Sequence, residues 1–395
     1  MKRETRAAIA VCLVAAVIGL YGADAFLVWR AARLPAEAAT RLGLENDPRS
    51  IRELIRDMAR DGKTVVPALW PALLLEPGAD GAARSALMAG GRETVPAGGV
   101  SGMTTVMCRE VGPYVTYLAD RHGFNNPDSV WDRPIDLMLI GDSFAQGQCV
   151  PTDAQMATRL RGPVPGTVTL GMGHEGPLLE LVALKEFGPL LKPRAVMWLY
   201  FQGNDLIQDL QHEQASPLLM RYLEPGFSQE LPKRQAEIDA ALRAHLEGPS
   251  QERDIARKEL MVTIISIAKL RNLRRALGAT RHPPTPDIAL FTRILLEARR
   301  TVADWGGTLY FVYLPSWSEL MTPAPSDPVL RDRVLAAARE TGLDVIDLYG
   351  PMTSEGDPSA FFFYPGSHYG PEGQAAVADA IFEVLNSRPT VATPQ

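Results

Sequence analysis

The sequence has little with which to hold a metal or build a disulfide framework: three cysteines and six histidines in 395 residues. No set of His, Cys and carboxylate residues stands at ligand spacing, so metal-dependent hydrolysis is disfavoured and neither metal nor cofactor is expected. Runs of Lys or Arg are missing too. With a net charge of −6 and acids and bases interspersed, there is no basic stripe for a phosphate backbone, and nucleic acid is not an expected partner. No internal repeat or low-complexity tract stands out. What is plentiful is apolar residues, 46% of the chain. That is enough for a full core, in one large domain with insertions or one domain plus a smaller cap.

The N-terminus addresses the compartment. Lys2, Arg3 and Arg6 precede an apolar run from Ala7 to Tyr21, the order of charge and apolar residues found in export signals. Two readings compete: a signal peptide cleaved after Ala23-Asp24-Ala25, or an uncleaved anchor whose apolar character resumes from Ala25 to Trp29. The anchor is preferred. It requires Asp24 to sit near the interface, because a carboxylate at mid-bilayer costs about 2.5 to 3.5 kcal/mol on insertion scales. With the basic end inside, everything after about residue 30 lies outside the cytoplasm. Cys108 and Cys149 then share an oxidising space, where they are either a disulfide or two buried thiols.

Residues 31–102 mix helical spacing (Ile51, Leu54, Ile55, Met58) with Pro67, Pro71 and Pro77, and read as a membrane-proximal stalk or accessory region. The Gly-rich stretch Ala89 to Gly102 marks the expected boundary. From residue 103 to 388, short apolar runs alternate with helical patterns, the rhythm of a parallel α/β sheet. The expected strands are Ile135–Ile140, Gly166–Leu170, Ala195–Phe201, Thr308–Leu314 and Leu343–Leu348. A helix-rich insertion over 210–300, including the apolar stretch Leu260–Ile267, reads as a cap over the site or as extra outer-layer helices. Residues 389–395 form a tail.

Three motifs carry chemistry. Gly141-Asp142-Ser143-Phe144 follows the first strand, where a serine can be held exposed with its own N–H free to face an oxyanion. Gln202-Gly203-Asn204-Asp205 follows the third, where an Asn amide can aim at the same oxygen; as an isolated motif it reads first as a turn or an N-cap. His368 lies in a loop before the last helix, placed to act as general base for a serine. The order Ser143, Asn204, His368, each at a strand end or before a helix, weighs more than any one of them.

In these motifs the chain resembles the SGNH/GDSL hydrolase family, over about Cys108–Leu210 and Thr308–Leu385. Gly123-Phe124-Asn125-Asn126-Pro127 looks like a feature of N-terminally anchored bacterial members, some of them associated with cell-surface polysaccharide. The resemblance implies a three-layer α/β/α sandwich with a flavodoxin-like parallel sheet. It also implies an acyl-Ser143 intermediate, with Ser143, His368, Asn204 and a glycine N–H at the site. Two positions depart from the family pattern. The acid expected three residues before His368 is Pro365, so either another acid, such as Asp357 or Asp347, reaches the ring from elsewhere, or a backbone carbonyl does so and the pair works as a dyad. In Gly171-Met172-Gly173-His174-Glu175-Gly176, His174 stands where the oxyanion glycine belongs, and Gly173 is taken as the donor.

The expected function is an esterase or O-acyltransferase acting on an acylated carbohydrate or another ester, on the periplasmic side of a bacterial inner membrane or secreted. The alternative is a non-catalytic glycan-binding or assembly protein on a degenerate site. Acyl group, acceptor and protein partners are not specified by the sequence.

Overall fold

A computed structural model describes residues 3–247, 261, 265–277, 285–321, 328–354 and 356–387. The chain forms two compact units. One is Met1–Gly43 with Leu246–Pro284, and the other is Leu44–His245 with Thr285–Gln395.

The first unit is dominated by helix α1, Arg3–Arg41, which over Ala7–Arg41 is long and apolar enough to cross a membrane. Its Ile9, Val11, Leu13, Val14, Val17 and Ile18 are all exposed.

The second unit holds the site. After helix α2 (Ile51–Arg60), strands β1 (Val65–Pro67), β2 (Thr104–Cys108) and β3 (Val115–Leu118) form a three-stranded sheet in the order β1-β2-β3. Of residues 31–102, set apart as a stalk on sequence, 44–102 fold with the unit that holds the site: β1 pairs with β2, and Gly99 N–H donates to the Gly123 carbonyl at 3.1 Å. The main sheet comprises β4 (Leu137–Gly141), β5 (Thr167–Thr169), β6 (Ala195–Phe201), β7 (Thr308–Leu314) and β8 (Asp344–Asp347). All pairings are parallel and the strand order is β8-β7-β6-β4-β5. This is the flavodoxin-like order expected, and it leaves the chain reversal next to β4, where open α/β sheets place their ligands.

These strands are near-continuous apolar runs because both faces are covered. On one face Leu137, Leu139, Met197, Leu199 and Val312 pack with helices α3 (Met156–Arg161) and α4 (Pro371–Ser387), through Met156, Leu160, Val377 and Ile381. Residues of opposite parity, among them Trp198, Tyr200 and Phe311, lie on the other face; there Tyr200 and Phe311 meet Phe291 of the helix Ile288–Ala303. That helix packs against the helix Pro177–Leu191 and against β7. This part of the insertion thus belongs to the outer layer and is not a lid. Of the apolar stretch 260–267, Met261, Ile265 and Ile267 are described and exposed; its other apolar residues lie outside the described residues.

Candidate active site

Strand β4 ends at Gly141, whose φ of 151° favours glycine; a Cβ there would also meet the Leu199 carbonyl oxygen at 2.7 Å. Asp142 caps the short helix Ser143–Gln146, accepting from the Phe144 N–H at 2.9 Å. Ser143 is the first residue of that turn, where a backbone N–H has no acceptor within the helix. Phe144 stacks on Phe201 with ring centroids 3.9 Å apart and lies 5.1 Å from the His368 ring. The Gln374 side chain donates to the Phe144 carbonyl at 3.1 Å and accepts the Met156 N–H at 2.9 Å, tying α4 to the serine turn.

The loop before α4 brings His368 to the serine, with Nε2 3.0 Å from Ser143 Oγ. Across 225 residues of sequence the two side chains are within hydrogen-bond reach. The other ring nitrogen, Nδ1, is 3.1 Å from Glu110 Oε2. Glu110 Oε1 accepts the His368 backbone N–H at 3.1 Å and the Tyr364 hydroxyl at 3.4 Å. An ionised carboxylate only accepts, so the proton sits on Nδ1 and the Nε2 lone pair faces the serine hydroxyl. Burial pushes the His368 pKa down, but the Glu110 hydrogen bond and charge, with Asp142, outweigh it and leave the imidazole above its ordinary value.

The acid missing at Pro365 is therefore neither of the two expected from sequence. Asp347 pairs with Arg331, and Asp357 accepts from the Ser359 N–H and hydroxyl at 2.9 and 2.7 Å. Glu110 follows β2, two residues after Cys108, and Cys108 is bridged to Cys149 with a Cα–Cα separation of 5.3 Å. The bridge links the strand end that carries Glu110 to the loop that leaves the Ser143 turn. The pairing of cysteines across the serine motif was the sequence signal for this; the glutamate beside one of them was missed.

Asn204, at the end of β6, places Nδ2 3.4 Å from Asp142 Oδ2 and also binds the Asp209 carboxylate. The longer contact is the weaker one, so that hydrogen can be redirected to a substrate oxygen. Gly173 behaves differently from expectation. Its N–H donates to Gln146 Oε1 at 3.0 Å, an oxygen that also accepts from Trp70 Nε1 at 3.2 Å. The donor assigned to the oxyanion is thus engaged in bracing the serine helix. His174 is exposed, holds a φ of 62° and packs edge-on against Trp70 at 5.1 Å. A left-handed backbone at a non-glycine residue costs about 1 to 2 kcal/mol, which accounts for the glycine that the family pattern places here.

The buried Asn pair of the Gly123–Pro127 motif supports the site from below. Asn125 Nδ2 donates to the Gln146 carbonyl at 3.0 Å, and Asn126 spans the Thr169 N–H and carbonyl at 2.9 and 2.8 Å. The pair fixes the serine helix and the end of β5 relative to each other.

Near Asn204 and Asp142 lie further acids: the buried Glu175, Glu180, Asp205 and Glu213, and the half-buried Asp209. Burial is the main cause holding every one of them, and Asp142, above the usual carboxylate range, with Asp209 up to about 8 and Glu213 up to about 7. Folding must keep protons that the unfolded chain releases near pH ~4. Linkage then makes stability fall as pH rises between those limits. His368, with its raised pKa, adds to this trend; the half-buried His122, held low by burial, opposes it. Thermal melting of the detergent-solubilised chain is expected to give a higher Tm at about pH 5.5 than at about pH 8. A Tm that rises with pH would mean these acids are ionised in the folded protein.

Sequence comparison finds no matching family model and no matching curated protein. Solved structures with similar architecture include a lipase/acylhydrolase from Enterococcus faecalis, at 13% identity and a TM-score of 0.39, covering 66% of this chain and 100% of that one. An acetyl xylan esterase is 10% identical with a TM-score of 0.36, covering 64% and 100%. A lipolytic protein of the G-D-S-L family from Veillonella parvula is 11% identical with a TM-score of 0.35, covering 64% and 100%.

Proposed function

We propose that this chain is a serine ester hydrolase or O-acyltransferase acting on acylated carbohydrate, held at a bacterial inner membrane by α1 with its site on the extracytoplasmic side. The observation that carries the reading is the linear array Glu110, His368, Ser143, with contacts of 3.1 and 3.0 Å. His368 Nε2 takes the Ser143 proton as Oγ bonds to the ester carbonyl carbon. The Ser143 N–H and Asn204 Nδ2 serve the resulting oxyanion. His368 then gives the proton to the departing alkoxide as the ester C–O bond breaks, leaving acyl-Ser143. Water or an alcohol, deprotonated by the same nitrogen, attacks the acyl carbon and restores the serine. Water makes the enzyme a hydrolase; a sugar hydroxyl makes it a transferase.

Membrane side follows from Lys2, Arg3 and Arg6 preceding the apolar run, since basic flanks stay on the cytoplasmic side. Acylated surface glycan as substrate rests on that location and on the family resemblance. A binding-only role had its support in the absent acid at Pro365 and in the altered glycine loop; Glu110 beside His368 Nδ1 weighs against the first, and the second stands, with the Gly173 N–H given to Gln146.

Covalent trapping tests the reading. A fluorophosphonate should inactivate turnover of an activated acetyl ester in proportion to its occupancy, and peptide mass spectrometry should find the phosphonyl group on Ser143. Full inactivation with the label on another residue would rule out Ser143 as nucleophile.

A further inference from the structure

Asp24 lies within an apolar helix whose other residues are largely exposed, yet its own exposure is 0%. What covers it is a segment from the other end of the same compact unit. The Leu273 N–H donates to Asp24 Oδ1 at 2.7 Å, Asn272 Nδ2 approaches Oδ2 at 3.4 Å, and one turn earlier Tyr21 donates its hydroxyl to the Ala268 carbonyl at 3.3 Å. Tyr21 and Asp24 are three residues apart and share a helix face. The carboxylate that made the anchor costly therefore receives two hydrogen bonds from residues 272–273.

The height of this contact in a bilayer follows from helix geometry. At 1.5 Å per residue, Asp24 is about 26 Å along the helix from Ala7. A hydrocarbon core is about 30 Å thick. A span that begins at Ala7 thus delivers Asp24, and with it residues 265–277, to the outer boundary between acyl chains and head groups. At that level the segment presents exposed Ile265, Ile267 and Leu277, and it carries exposed Lys269 and Arg271. Apolar side chains with basic neighbours at a membrane boundary are the composition of an interfacial element. Basic residues there attract anionic head groups.

We propose that residues 265–277 form a second membrane contact, docked on α1 through Asp24 and lying in the outer interface against anionic lipid. The proposal rests on α1 spanning the bilayer and is independent of the catalytic reading. It assigns Asp24 the job of fixing the segment at membrane depth. Lys269 and Arg271 are assigned the preference for anionic lipid.

The test uses the full chain in liposomes, with an environment-sensitive fluorophore on single cysteines. Cys12 is the free cysteine and lies in α1, so it reports the anchor in the parent protein. Ile267→Cys and Leu277→Cys, each in a Cys12→Ser background, report the segment. Phosphatidylcholine vesicles with and without phosphatidylglycerol are compared, with lipid-borne nitroxides and aqueous iodide as quenchers. The expected result is quenching of both segment labels by shallow nitroxides and protection from iodide, stronger with phosphatidylglycerol. Lys269→Glu with Arg271→Glu should abolish the difference between the two lipids, and Asp24→Ala should move both labels toward iodide.

Iodide quenching of both segment labels while the Cys12 label stays in lipid would overturn the proposal and spare the anchor. Iodide quenching at Cys12 as well would overturn both. Energy transfer between labels on separate copies at position 267 or 277 would show the face to be a protein interface and overturn the lipid assignment.

Discussion

Ser143→Ala should lower kcat for an activated acetyl ester by about 10⁴- to 10⁶-fold, the scale on which loss of a serine nucleophile acts in triad enzymes. The physical reason is that, among the described residues, Ser143 Oγ is the nucleophile that lies 3.0 Å from the Nε2 lone pair of His368. Removing it leaves the oxyanion donors with no serine-bound tetrahedral adduct to stabilise. The fold should survive, since the buried hydroxyl contributes its contacts to His368 and, at 3.3 Å, to Asp142. Loss of one such hydrogen bond costs about 1 kcal/mol. The decisive measurement is the comparison of purified full-length proteins at matched Tm. Equal rates in the two proteins would end the catalytic account.

Glu110→Gln should lower kcat by about 10³- to 10⁴-fold with a smaller change in KM, because the residue acts through His368 and not on substrate. The amide keeps the shape and can still accept the His368 backbone N–H. It removes the charge that stabilises the imidazolium and the acceptor that fixes the Nδ1–H tautomer. A separate signature lies in pH. Glu110 helps raise the His368 pKa above its ordinary value, and catalysis needs the neutral ring. The acid limb of kcat/KM should therefore lie above about pH 6.5 in the parent protein and move to lower pH in Glu110→Gln. Loss of rate with no movement of that limb would assign Glu110 a structural role alone.

Much of the architecture could be read from the chain. The five sheet strands were legible as apolar runs, since a parallel strand buried on both faces has no polar alternation to obscure it. Their boundaries shifted by a residue or two, most at the ends where Ile135 and Asp136 precede the ladder and Leu348 follows it. Strands β1, β2 and β3 were not legible: three to five residues long, with Pro67 closing β1, they lack the length that periodicity needs. For that reason residues 44–102 read as a stalk, when Trp70 in fact braces the serine helix through Gln146.

The same division runs through the site. Ser143, Asn204 and His368 each carry a local signature, a strand end or a helix start, that neighbouring residues create, and the linear order of residues was enough to single them out as candidates. Glu110 carries none. It stands 258 positions before the histidine it orients, and it arrives there only because β2, held by the Cys108–Cys149 bridge, ends beside the serine turn. Likewise Gly173 reads as a free donor until Gln146 is seen across from its N–H, and Asp24 reads as a defect in an anchor until residues 272–273 close over it. Which elements form is decided by patterns a few residues long. Which polar groups meet is decided by packing between distant segments, because a hydrogen bond depends on separation in space and the chain records only separation in sequence.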